Sequence, residues 1–110
     1  MKQFFLPVVA IVAFLAGGCS SVTPLDGARY SEVPASKVEV LYKEPKREYD
    51  VIALVSHEAA TRFATVPDVI QKCRELAAQA GADALIITTA FDQGSNSAAR
   101  AAGRAIKWKK

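Results

Sequence analysis

From residue 37 onward the hydrophobic pattern changes period twice. Val38, Val40 and Tyr42 alternate with Glu39, Leu41 and Lys43, which predicts a half-buried strand. The charged stretch KEPKRE, 43–48, is a turn. Val51 to Val55 is an unbroken apolar run, the pattern of a central strand buried on both faces. Beyond Thr65-Val66-Pro67-Asp68 the spacing becomes helical. Val69, Cys73, Leu76 and Ala80 fall on one face, with Ile70 and Ala77 beside them. Thr65 is placed to cap the free N–H groups, and Asp68 favours the positive helix end. Gly81 stands at the usual C-terminal stop. ALIITTAF, 84–91, predicts a second buried strand, DQGSNS a turn, and Ile106-Lys107-Trp108-Lys109 a last strand at the sheet edge.

The predicted order is therefore β-β-α-β-β, an α+β domain over 37–110 with one helix on a short mixed sheet. The strands flanking the helix are expected as parallel neighbours joined by a right-handed crossover. At about 74 residues such a domain folds alone around a small core. No internal repeat is visible. Residues 20–36, SSVTPLDGARYSEVPAS, hold Ser, Pro, Gly and mixed charge with no apolar period. They are expected as a flexible tether that reaches about 55 Å when extended.

The first 18 residues follow a different pattern. Lys2 is a lone cation, Phe4 to Ala16 is apolar apart from Pro7, and two glycines lead to Cys19. A positive start, an apolar run and a small-residue exit are the marks of a secretory signal peptide. A membrane-spanning helix wants about 20 mostly apolar residues. Here Pro7 and the glycines interrupt the span, so a retained helical anchor is the weaker reading.

Ala16-Gly17-Gly18-Cys19 resembles the lipobox of bacterial lipoproteins, although the favoured leucine stands one position early, at Leu15. The resemblance implies that the Cys19 thiol receives a diacylglyceryl group. The chain is then cut before Cys19 and the new amine acylated. Residues 1–18 are thus expected as signal peptide and 19–36 as lipidated cysteine and tether. Ser20, rather than aspartate, implies the outer membrane if the host sorts lipoproteins as enteric bacteria do. VEVLY, YDVIALV, AGADALII and GRAIKW together resemble small bacterial envelope lipoproteins. Their fold is similar to the signalling domain of the outer-membrane Rcs stress-sensor lipoprotein and to a family labelled putative heavy-metal-binding. The Rcs sensor relies on paired disulfides, whereas the mature chain offers only Cys73 besides Cys19.

Candidate chemistry is sparse. Cys73 on the apolar helical face reads as a packed, unreactive thiol, with an intermolecular disulfide as its rival in an oxidising compartment. His57-Glu58-Ala59-Ala60-Thr61 begins like a zinc-protease motif but ends in threonine and follows a strand pattern. One histidine and one distant thiol do not make a closed metal site. Asp50, Glu58 and Asp83 read as solvated acids at strand ends or turns. No nucleophile elbow, phosphate loop or SxxK motif is present, so no enzyme and no cofactor are expected.

Charge changes the picture only at the C-terminus. The chain carries 14 Lys and Arg against 11 Asp and Glu. Arg100, Arg104, Lys107, Lys109 and Lys110 fall in a stretch without acids. They are expected either as a surface for an anionic partner (lipid headgroups, an envelope polymer or an acidic protein) or as edge-strand protection by lysine. A nucleic-acid partner is not expected, since the signal sends the chain out of the cytoplasm. The functional expectation is a lipid-anchored envelope protein, with a non-catalytic periplasmic domain that binds or senses another envelope component. The alternative is a metal- or small-ligand-binding module acting as an oligomer.

Overall fold

The computed structural model describes residues 19–25, 30–60, 64–92 and 99–110. The signal-peptide segment 1–18 and residues 93–97 of the predicted DQGSNS turn lie outside the described residues. The elements are β1 (Cys19–Pro24), a 3₁₀ turn (Ala35–Lys37), β2 (Glu39–Leu41), β3 (Tyr49–Glu58), α1 (Val66–Gln79), β4 (Ala84–Asp92) and β5 (Ala99–Trp108). The five strands form one mixed sheet in the order β1-β3-β5-β4-β2. Only β2 and β4 pair parallel; the other neighbours are antiparallel. The class is α+β, as the sequence pattern predicts.

Both ends of α1 form as expected. Thr65 and Asp68 make a reciprocal capping box: the Thr65 N–H donates to the Asp68 carboxylate at 2.8 Å, and the Asp68 N–H to the Thr65 hydroxyl at 3.4 Å. At the other end Gly81 takes φ +84°. Gly81 N–H donates to Ala78 O and Ala82 N–H to Ala77 O, each at 3.0 Å. These two bonds close a Schellman motif and satisfy carbonyls the helix leaves open.

α1 covers one face of the sheet. Val69, Cys73 and Ala77 are its most deeply buried residues, each at most 1 % exposed. Leu76 and Ala80, expected on the central stripe, lie half-buried at its margin. Beneath α1 the core takes in Ala101 and Ala105 of β5, Leu85 of β4, and Ile52, Ala53 and Val55 of β3. A register shift between Val51 and Ala53 turns both Ile52 and Ala53 into this core. Gly103 is required by close approach: a Cβ there would sit 2.5 Å from Ile86 O.

Four expectations are corrected. First, the last strand is not at an edge. β5 begins at Ala99 and is the central strand; its small residues carry no hydrophobic signal, yet small size is what lets α1 pack closely. Lysine protection of an open edge therefore does not explain Lys107 and Lys109. Second, the strands flanking the helix are not neighbours. β3 and β4 run parallel, but β5 lies between them and pairs antiparallel with each. Third, those two strands are not buried on both faces along their whole length, although Ala84, Leu85 and Ile86 at the start of β4 are. Leu54 is 43 % and Phe91 41 % exposed, because among the described residues no helix covers them on the side away from α1. Fourth, the expected tether contains structure. Cys19–Pro24 adds a strand to the open edge of β3, and Tyr30 and Val33 pack against the core. Val38, just before β2, is fully buried, whereas Tyr42, just past the strand's end at Leu41, is 66 % exposed.

Candidate functional site

The first residue after the predicted cleavage point opens β1. Cys19 is an exposed free thiol and pairs in register with Glu58. Ser20 pairs with His57, and its hydroxyl lies 2.7 Å from His57 Nδ1. His57 is 4 % exposed. Burial, and then the Lys72 ammonium, hold its ring below the ordinary value, against a smaller opposing pull from Glu75. The neutral ring and the hydroxyl thus fasten the start of β1 to the sheet. The pair has the heavy-atom spacing of a nucleophile and base, but a buried ring within the strand pairing serves docking. Sequence patterning missed this contact. The expectation had tied His57 to Glu58 as an incomplete metal motif, and no local pattern links residue 20 to residue 57.

Cys73 lies beneath the same region. Its thiol donates to Ala101 O at 3.5 Å, and burial pushes it up to about 11, against a lowering contribution from the His57 backbone. A thiol so placed stays protonated and unreactive near neutral pH. The expectation of a packed thiol matches this geometry.

The five basic residues do not converge. Along β5, Arg100 and Arg104 alternate with the buried Ala99, Ala101, Gly103 and Ala105, and so lie on the face away from α1. Lys107 falls on the helix side. It donates to Gly81 O at 3.1 Å, approaches Asp83 at 3.6 Å, and sits 5.0 Å from the Tyr30 ring centre. Lys109 faces Asp50 at 3.7 Å, and Lys110 is exposed at the chain end. Arg104 is held by Glu44 at 2.8 Å and by the Tyr49 hydroxyl at 3.3 Å. The Tyr49 hydroxyl in turn donates to Glu44. Asp83, expected as a solvated acid, instead accepts the Trp108 N–H at 2.9 Å.

The uncovered face is built of two parts. Near the β5 C-terminus, Ile106 is fully buried with Ala84 and Ile86, and Leu41, Tyr49, Val51 and Trp108 pack around them. Tyr49 and Trp108 meet edge-on at 6.4 Å, and Arg47 lies 4.9 Å over the indole. Toward Cys19 the face is open. A shallow groove of about 220 Å³ runs there between Ser21, Thr23, Leu54, Ser56, Thr88 and Arg104. It offers hydroxyls, one exposed leucine and one guanidinium, a set suited to non-covalent contact. Among the described residues no group of three or more His, Cys, Asp and Glu side chains comes together as metal ligands. Among the same residues no helix is long and apolar enough to cross a membrane.

No family model matches the chain. No curated protein matches it at a significant level. Among solved structures it is similar to the crystal structure of a Francisella virulence factor, FvfA, in an orthorhombic form. The TM-score is 0.64 at 19% identity, over 79% of this chain and 95% of that one. At that identity the likeness establishes the shared α+β fold and carries no role across.

Proposed function

We propose that this chain is a lipid-anchored envelope lipoprotein, with a small α+β domain that binds or senses another envelope component without catalysis. In this reading the Cys19 thiol attacks a phospholipid and forms a thioether to its diacylglyceryl group; the headgroup phosphate leaves and takes the proton. Water then cleaves the Gly18–Cys19 bond, and the freed amine is acylated. The observation that carries the reading is Cys19 itself, an exposed, unpaired thiol directly after Ala16-Gly17-Gly18. Two or three acyl chains, at about 0.8 kcal/mol per buried methylene, would make release from the bilayer negligible. With Ser20 after the cysteine, the outer membrane is the proposed destination.

The binding surface in this reading is the groove on the uncovered face. Its exposed Leu54 beside Arg104 and hydroxyls from three strands supports contact with a protein or polymer. A photo-crosslinking residue at position 54, in the native envelope, tests this against the same residue at Tyr42, which is exposed outside the groove. A discrete adduct from position 54 alone is expected. Identical adducts from both positions would remove the groove as the binding surface.

A further inference from the structure

The geometry points to the bilayer surface as the partner of the sheet end that carries Cys19, with Phe91 at headgroup depth. This follows only if Cys19 is acylated, as proposed above. A lipoprotein domain is ordinarily free to stand away from the membrane when unstructured residues follow the anchor. Here they do not: Cys19 is already paired with Glu58, and Ser20 is fastened by His57. Residue one of the mature chain is residue one of a strand, so there is no slack.

The strand register then fixes what else lies at that height. Cys19 stands opposite Glu58, Glu58 opposite Arg100, and Arg100 opposite Phe91. These four residues form a row across β1, β3, β5 and β4, and all four are exposed. Neighbouring strands are about 4.8 Å apart, so Arg100 is roughly 10 Å and Phe91 roughly 15 Å along the row from the anchor. Twist turns each strand by about 20–25° relative to the next, which curls the row but keeps it at one end of the sheet. Arg100 suits a lipid phosphate, and an exposed phenylalanine suits the acyl boundary. Glu58 offsets Arg100, so the row carries no net charge. Contact is held by the anchor and by a bulky apolar side chain at position 91, a character that a nitroxide ring there keeps, and does not depend on anionic lipid.

The opposite end is correspondingly remote. Tyr49 and Trp108 are paired at the far end of β3 and β5. Nine residue steps at about 3.3 Å separate Tyr49 from Glu58, or roughly 30 Å. Lys109 and Lys110 beyond it are out of reach of the headgroups that hold Cys19, whereas the groove opens between the two levels.

The test uses the full lipidated protein in vesicles. Nitroxide labels at Phe91→Cys and, separately, Lys109→Cys are read for exposure to oxygen, which partitions into lipid, and to a water-soluble nickel chelate. Cys73 stays unlabelled because it is buried, and Cys19 is blocked by its thioether. The native indole provides a probe without substitution, since Trp108 is the only tryptophan. The label at 91 is expected at interfacial depth, equally on zwitterionic and anionic vesicles, with the label at 109 in water. Brominated lipids are expected to leave Trp108 unquenched. A lipidated, floating protein with label 91 in bulk water, or with Trp108 quenched, overturns the bilayer contact while leaving the lipoprotein reading intact. A protein that carries no lipid and does not float overturns both.

Discussion

Beneath α1 the central strand presents Ala101, Gly103 and Ala105, whereas on the other side the same strand presents Arg100, Ala102 and Arg104. The first set is closed over by Val69, Cys73 and Ala77. The second is met at Arg104 by Tyr49 and Glu44, near one end. One strand therefore serves two purposes by alternation alone. On the covered side, small residues admit a helix at close range and define the fold. On the uncovered side, a small apolar cluster closes around Ile106 at one end, and toward Cys19 polar residues and the exposed Leu54 leave a surface for contact. A cluster of basic residues in sequence is thus divided by the pleat, and its members meet different partners.

Paired truncations give the largest expected difference between the faces. Leu85 is fully buried under α1 and Leu54 is 43 % exposed opposite. Leu85→Ala should cost about 2–5 kcal/mol through lost burial and a cavity, and Leu54→Ala under about 0.5 kcal/mol. Urea titrations of the detergent-solubilised protein measure both. Equal losses would mean that the uncovered face is buried in the folded protein.

Gly81→Val tests the turn that returns the chain from α1 to the sheet. A branched residue at φ +84° is strained, and its Cβ would meet Tyr30 Cβ at 2.5 Å. A loss of about 1–3 kcal/mol from the backbone alone is expected. An unchanged midpoint would place the helix end elsewhere.

The smallest effect concerns how β1 is fastened. Burial lowers the His57 pKa below its usual 6.5, so the unfolded chain binds the proton first. Its contribution to stability is complete above about pH 6.5 and declines as the pH falls through that value toward the lower folded-state pKa. The urea midpoint should therefore drop between pH 7 and 5.5, and His57→Gln should flatten that slope. A slope that survives the substitution would assign it to another group.

Much of the covered side was legible in the sequence because its signals are local. The capping box needs only Thr65 and Asp68, and the helix stop only Gly81. The apolar face of α1 was found with its centre displaced, since Ala77 rather than Leu76 faces the sheet and alanine gives a weak hydrophobic signal. The uncovered side was less legible. An apolar run such as Val51 to Val55 looks the same whether one or two layers cover it. The position of β5 was hidden because Ala99, Ala101, Gly103 and Ala105 are selected for smallness. β1 escaped for a related reason: Ser20, Ser21 and Thr23 have no apolar period, and their pairing with β3 is visible only across more than 30 residues.

The central claim is that Cys19 is the lipid attachment point and the first residue of the mature chain. Mass spectrometry of the N-terminal peptide from the native membrane fraction tests it most directly. The peptide is predicted to begin at Cys19, with a diacylglyceryl thioether and an acylated amine, and Cys19→Ala should abolish that species. A membrane-bound chain with an unmodified Cys19 thiol, or a Cys19→Ala variant still bound at the mature mass, would contradict it.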